Sequence, residues 1–212
     1  MTARLVMAGV MMFVAVMNGM AGDWKPLFNG KDLEGMMRSN GATPNTNWVV
    51  EAGNLKRIGK GGDIWTKDRY GDFVLEIEFK TEGNSGMFIR TDDPKNNVQT
   101  GIEIQVDKPG GPSKHSVGAI YDLVPASKNV GKAGDWNKAV ITAKGAMLAV
   151  ELNGEKVCQM DLDQWTEPNK NPDGSKNKFK NALKNFKRDG HIGFQDHGAN
   201  VEYRNARIKT LE

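Results

Sequence analysis

Phe73-Val-Leu-Glu-Ile-Glu-Phe-Lys80 carries the decisive pattern. Phe73, Leu75, Ile77 and Phe79 alternate with Val74, Glu76, Glu78 and Lys80. A period of two sends the apolar set to one face of a strand and the charged set to the other. Gly101-Ile-Glu-Ile-Gln-Val-Asp107 alternates in the same way. Ala139–Lys144 and Met147–Leu152 read as strands joined by a Lys144-Gly145 turn, and Asn153-Gly154 signals a type I′ hairpin into Glu155–Asp161. Trp48–Val50 and Leu55–Ile58 form a second hairpin around Gly53-Asn54. Ser85–Thr91, Val117–Leu123, Gly190–Gln195 and Asn200–Lys209 complete a set of about eleven short strands. That count predicts an all-β, two-sheet antiparallel sandwich. One short helix is expected near 177–187, where Phe179, Leu183 and Phe186 recur at helical spacing and the lysines take the solvated face.

The 212 residues suit one domain. Arg4 is the only charge before Asp23, Leu5 to Met17 is apolar, and Gly19-Met20-Ala21 presents small residues where a signal peptidase cuts. Residues 1–21 are therefore expected to be a cleaved secretory signal, with 22–212 as the exported domain, periplasmic or secreted. The apolar run is short for a membrane span, so no stable span is expected after cleavage. Losing Arg4 lowers the net charge from +3 to +2, with Lys and Arg interspersed among Asp and Glu. Such a balance excludes nucleic acid as the expected partner. The single cysteine, Cys158, excludes an intrachain disulfide and reads as a small buried hydrophobe.

Glu103, Gln105 and Asp107 share one strand face, opposite Ile102, Ile104 and Val106. Such a row is ordinary on a solvated sheet, but other polar segments favour a carbohydrate-binding groove. Gly83-Asn84-Ser85-Gly86 leads into Phe88-Ile89-Arg90, and Gln195-Asp196-His197-Gly198 closes another strand. His197 reads equally as a structural strand-end residue or as a proton carrier. Tyr121 could stack on a sugar. No Gly-x-Ser-x-Gly elbow, zinc spacing or phosphate loop is present, and Gly59-Lys-Gly-Gly62 reads as a turn. No cofactor is expected; Asp92-Asp93 could join a structural calcium site.

Several segments occur together in a telling order. They are Leu27-Phe-Asn-Gly-Lys-Asp-Leu33, Gly71-Asp-Phe-Val-Leu-Glu-Ile-Glu-Phe79, Asn84-Ser-Gly-Met-Phe-Ile-Arg90, Gly134-Asp-Trp-Asn137, Leu152-Asn-Gly154 and Gly193-Phe-Gln-Asp-His-Gly198. In these the chain resembles the 3-keto-disaccharide hydrolase family, although Met36-Met37 stands where that family usually has Trp after Gly35. The resemblance implies a concanavalin-like or LamG-like jelly roll, export in bacteria, and action on glycosides oxidised at C3. The fold is shared with family 16 glycoside hydrolases, whose catalytic strand reads Glu-x-Asp-x-Glu. Here Gln105 replaces the middle Asp and Asp107 the last Glu. Both changes argue against a retaining mechanism, which needs two carboxylates about 5–5.5 Å apart. A 3-keto sugar offers removal of the C2 proton and elimination of the C1 substituent, followed by hydration. That chemistry assigns Glu103 or His197 as base and Asp107 as partner acid. Arg90, Gln105, Gln195, Asp196, Asn84 and Tyr121 would bind the sugar. The competing expectation is a non-catalytic, lectin-like carbohydrate-binding module.

Overall fold

The computed structural model describes residues 23–44 and 47–212, so the expected signal segment lies outside the described residues. Two short strands, β1 (Lys25–Pro26) and β2 (Met36–Arg38), come first, followed by the hairpin β3 (Trp48–Glu51) and β4 (Asn54–Arg57). β5 (Ile64–Thr66), β6 (Phe73–Thr81) and β7 (Ser85–Thr91) follow. A single helical turn, α1 (Asn97–Thr100), leads into β8 (Ile102–Val106). The meander β9 (Asn137–Lys144), β10 (Met147–Leu152) and β11 (Glu155–Asp161) comes next, then β12 (His191–Phe194) and β13 (Val201–Thr210).

These strands form two antiparallel sheets. The larger runs β11-β10-β9-β6-β13-β4-β3, with β1 on β13, and the smaller runs β2-β5-β12-β7-β8. The fold is thus the expected all-β sandwich. β6 occupies the middle of the larger sheet, between β9 and β13. Its alternation is kept to the letter: Phe73, Leu75, Ile77 and Phe79 are buried, while Glu76 and Glu78 face outward and pair with Arg207 and Arg204. Burying each such apolar side chain contributes roughly 1.5–3 kcal/mol, so this one strand face anchors the core. Met87, Ile89, Ile102, Ile104 and Val106 oppose it from the smaller sheet. Phe194 packs on Tyr203 at 4.5 Å between ring centroids, joining the two layers.

Asn153 and Gly154 both take positive φ, 52° and 86°, which is the expected type I′ geometry. The first hairpin turns one residue earlier than expected, at Ala52-Gly53, because Glu51 pairs with Asn54.

Two expectations need correction. Val117–Leu123 is not a strand; it is a turn-rich loop lying along the free edge of β8. Gln105 donates its backbone N–H to Ala119 O, Gly118 donates to Gln105 O, and Tyr121 donates to Glu103 O. Its apolar residues are buried because the loop covers the sheet, so apolarity alone mimicked a strand. The helix near 177–187 is also absent. Only Leu183–Asn185 coils, as a 3-10 turn. Phe179 and Phe186 still meet, at 5.9 Å between centroids, so helical spacing was satisfied without a helix. Among the described residues no helix is long and apolar enough to cross a membrane.

Candidate active site

The smaller sheet is buried on both faces, and its outer face carries the polar groups. Every residue of β7 and β8 is buried. Glu103 is 7% exposed and Gln105 2%. A solvated strand face is therefore excluded; the 118–121 segment pairs along the edge of β8, and the chain around Lys178 brings its charge to Glu103. That second segment is pinned by three bonds. Lys178 N donates to Asp122 Oδ2 (3.1 Å), Gln99 Nε2 donates to Lys178 O (3.1 Å), and Lys180 N donates to Gln99 Oε1 (2.8 Å).

Two glycines shape the floor. A Cβ on Gly86 would overlap the Glu103 carboxylate, and a Cβ on Gly193 would overlap the Trp65 indole. Bare backbone here lets Glu103 lean across β7 and the indole lie across β12. Trp65 then stacks on Phe88, with centroids 5.5 Å apart. Glu103 receives a hydrogen bond from the Gln195 side chain. Gln105 Nε2 donates to Asn84 Oδ1 at 2.9 Å. Gln105 Oε1, Gln195 Oε1 and Trp65 Nε1 are buried without a partner among the described residues. Buried polar groups are ordinarily satisfied, so three such atoms on one face suit a surface made to meet a hydroxyl-rich ligand.

The electrostatics centre on Glu103. Burial pushes its carboxyl up to about 7; nearby Lys178 opposes that rise, Asp63 adds to it, and the Gln195 bond opposes it. Lys178 is half-buried, with Nζ 3.8 Å from the Tyr121 ring centroid. Burial lowers the pKa of its ammonium, against the pull of Glu103 and Asp122. Asp63 is also raised by burial, although it accepts Asp196 N (2.8 Å) and Asn97 Nδ2 (2.9 Å). His115 also packs against Tyr121, with ring centroids 4.7 Å apart.

The structure gathers Glu103, Gln105, Asn84, Gln195 and Tyr121. His197 is exposed at the rim, where its charge acts on Asp63. Asp196 does not join the Glu103 cluster. Its carboxylate pairs with Arg57 and accepts the backbone N–H groups of Gly61 (2.9 Å) and Gly62 (3.0 Å). Burial raises its pKa, but these bonds outweigh that and leave it lowered. Asp196 is thus a strut for the Gly59–Gly62 turn, which carries Asp63.

Two other assigned residues do not reach the cluster. Asp107 lies beyond the end of β8 and accepts the backbone N–H of Lys108. Three residues separate it from Glu103, and among the described residues no hydrogen bond joins the two carboxyls. Arg90 is 2% exposed, and its guanidinium donates to Gly71 O (2.9 Å), Gly145 O (2.7 Å) and Asp72 Oδ1 (2.8 Å). It clamps one sheet to the other instead of binding sugar. The cause is a β-bulge: β7 and β12 shift register there, and Arg90 takes φ 50°, which breaks the alternation shared by Gly86 and Phe88. Asp92 pairs with Arg69, and Asp93 accepts the Lys95 N–H, so both carboxylates already have partners. Among the described residues no cluster of three metal-ligating side chains occurs.

Sequence reasoning missed Asp63, Trp65, Asn97 and Lys178. Trp65 stands in Asp63-Ile-Trp-Thr66, too short a stretch to show alternation. Lys178 stood among other lysines, with nothing local to single it out.

A family model for the 3-keto-alpha-glucoside-1,2-lyase-like domain matches residues 23–209. A 3-keto-disaccharide hydrolase of Bacteroides thetaiotaomicron is 28% identical over 225 residues, covering 88% of this chain and 78% of that protein. A solved structure from Parabacteroides distasonis, assigned as a glycosyl hydrolase, is 35% identical with a TM-score of 0.80, covering 89% of this chain and all of that one. A second such protein from the same organism is 27% identical with a TM-score of 0.74, covering 90% and 94%. The carbohydrate-binding module CBM66 of Bacillus subtilis, 15% identical with a TM-score of 0.53, shares the fold over 84% of this chain and 97% of its own. With the family model spanning nearly all of the described chain, this protein belongs to the family of 3-keto-alpha-glucoside-1,2-lyase-like domains, enzymes that cleave glycosides.

Proposed function

We propose that this protein cleaves glycosides whose C3 carries a ketone, and that Glu103 is the base that starts the reaction. One observation carries the reading: the Glu103 carboxyl, buried on the outer face of the smaller sheet over Gly86, with its pKa pushed up to about 7. A lectin needs polar contacts and aromatic surface but no carboxyl poised between its two protonation states. A retaining glycosidase needs a second carboxylate free to act beside the first; Asp107 is engaged by the Lys108 N–H, and Asp63 by Asp196 N and Asn97 Nδ2.

The chemistry follows from the ketone. The C2–H bond breaks, its proton goes to Glu103, and its electron pair forms a C2–C3 double bond while the carbonyl pair moves onto O3. Collapse of that enolate restores the ketone, forms a C1–C2 double bond and expels the C1 oxygen, which takes up a proton. Water then adds across the new double bond. His197, at the rim beside Asp63, is the candidate donor to the leaving oxygen. Gln105, Gln195 and Asn84 would hold hydroxyls. Export completes the proposal: the apolar run Leu5–Met17 and the small residues at Gly19 and Ala21 support a cleaved leader.

The direct test is to incubate the protein with 3-keto-trehalose and measure released monosaccharide, using trehalose as the control. Turnover of the keto sugar alone is expected. Glu103→Gln should lower kcat about a hundred- to ten-thousand-fold. Because the base must be ionised, kcat/KM of the wild type should rise with pH through about 7. Equal turnover by the wild type and Glu103→Gln would sink the assignment.

A further inference from the structure

An enolate mechanism needs a partner for the negative charge that appears on O3. Three observations single out one side chain. Lys178 is half-buried, and its charge bears directly on Glu103. Its Nζ rests over the Tyr121 ring at 3.8 Å and lies 5.8 Å from the Phe179 ring. It forms no ion pair within 4 Å and no side-chain hydrogen bond among the described residues, whereas Lys56, Lys128 and Lys170 all pair with carboxylates. An aromatic face holds a cation in place without neutralising it. The backbone on both sides of Lys178 is fixed by Asp122 and Gln99, so the ammonium is positioned before any substrate arrives.

We infer that Lys178 is a catalytic residue: its ammonium, seated on Tyr121 beside Glu103, receives the charge that develops on the C3 oxygen as the C2 proton leaves. The inference rests on the 3-keto-glycoside reading and adds the electrophilic partner which that reading lacks. No bond forms between Lys178 and the sugar. The C2 proton goes to Glu103, the electron pair goes to O3, and Lys178 keeps all its protons while donating a hydrogen bond to that oxygen. The distribution of charge explains why a half-buried lysine accompanies a carboxyl poised near neutrality. Glu103 loses its negative charge as O3 gains one, so the ammonium exchanges one anionic neighbour for another within the same pocket.

The test uses the whole protein and two substrates. The first is 3-keto-trehalose, read as release of monosaccharide. The second is 1,5-anhydro-3-keto-glucitol, which has no leaving group at C1 and reports only C2–H exchange in deuterium oxide. Lys178→Met should lower both kcat and the exchange rate by about 10²–10³-fold, with KM within about threefold. If Lys178→Met does not fold, the same two measurements on Lys178→Gln decide the matter. Borohydride added during turnover should leave the protein mass unchanged. A mass gain at Lys178 would show a covalent imine and overturn the proposed role. Wild-type turnover with full exchange in the variants would overturn the inference alone. Absence of both activities in the wild type would overturn the 3-keto reading and the inference with it.

Discussion

Glu103 shows how one carboxyl can oppose the stability of the protein that contains it. Burial raises its pKa from 4.5 to about 7 in the fold. The folded state therefore prefers the protonated form. Below about pH 4.5 the group is protonated both folded and unfolded, and it contributes no pH dependence there. Between about 4.5 and 7 the unfolded chain releases the proton first, so stability falls as pH rises, levelling off above about 7. The full penalty is on the order of 3 kcal/mol, less where local rearrangement hydrates the carboxylate. Glu103→Gln should thus raise Tm at pH 8 and leave it nearly unchanged at pH 4, while lowering turnover. Thermal scans at the two pH values check this; a variant less stable at pH 8 would contradict it.

Arg90 carries the argument for elements. A bulge between β7 and β12 redirects its guanidinium from the groove to Gly71, Asp72 and Gly145, at the end of the larger sheet. Three hydrogen bonds to one buried cation tie the two layers together. Arg90→Met should lower stability by about 3 kcal/mol, or roughly 6–12 °C in Tm, because it leaves buried acceptors unpaired. The KM of the remaining folded protein should not change, since no sugar contact is lost. A raised KM with an unchanged Tm would return Arg90 to the binding site. The bulge also explains why the site was only partly legible. Alternation placed Glu103 and Gln105 on one face correctly, because β8 is regular. It failed for Arg90, because one extra residue inverts every later side chain.

Across the whole molecule, the core spans both sheets and a thiol reports on it. Cys158 is buried, with Sγ against Val124 O and Pro125 O, and burial pushes the thiol up to about 11. It should resist a thiol reagent at pH 8 in the native state and react fully in denaturant, so that the labelling rate tracks opening of β11. Fast native labelling would show that β11 detaches independently of the rest of the sheet.

Local order was readable from the chain. Period-two patterns at Phe73–Phe79 and Ile102–Val106, and the Asn153-Gly154 turn, depend on neighbours in sequence, so composition and spacing were enough. The all-β class follows from those patterns, and the motif set around Asn84 and Gln195 pointed to the family. Convergence was decided only in three dimensions. Asp63 reaches the site because Asp196 and Asn97 hold its loop. Lys178 reaches it because Asp122 and Gln99 pin an irregular segment against Tyr121. Each of these contacts joins residues tens of positions apart, and no periodicity encodes them. Glu103 itself was visible as a polar residue on a strand, but its burial, and with it the proton affinity that makes it a base, is set by tertiary packing.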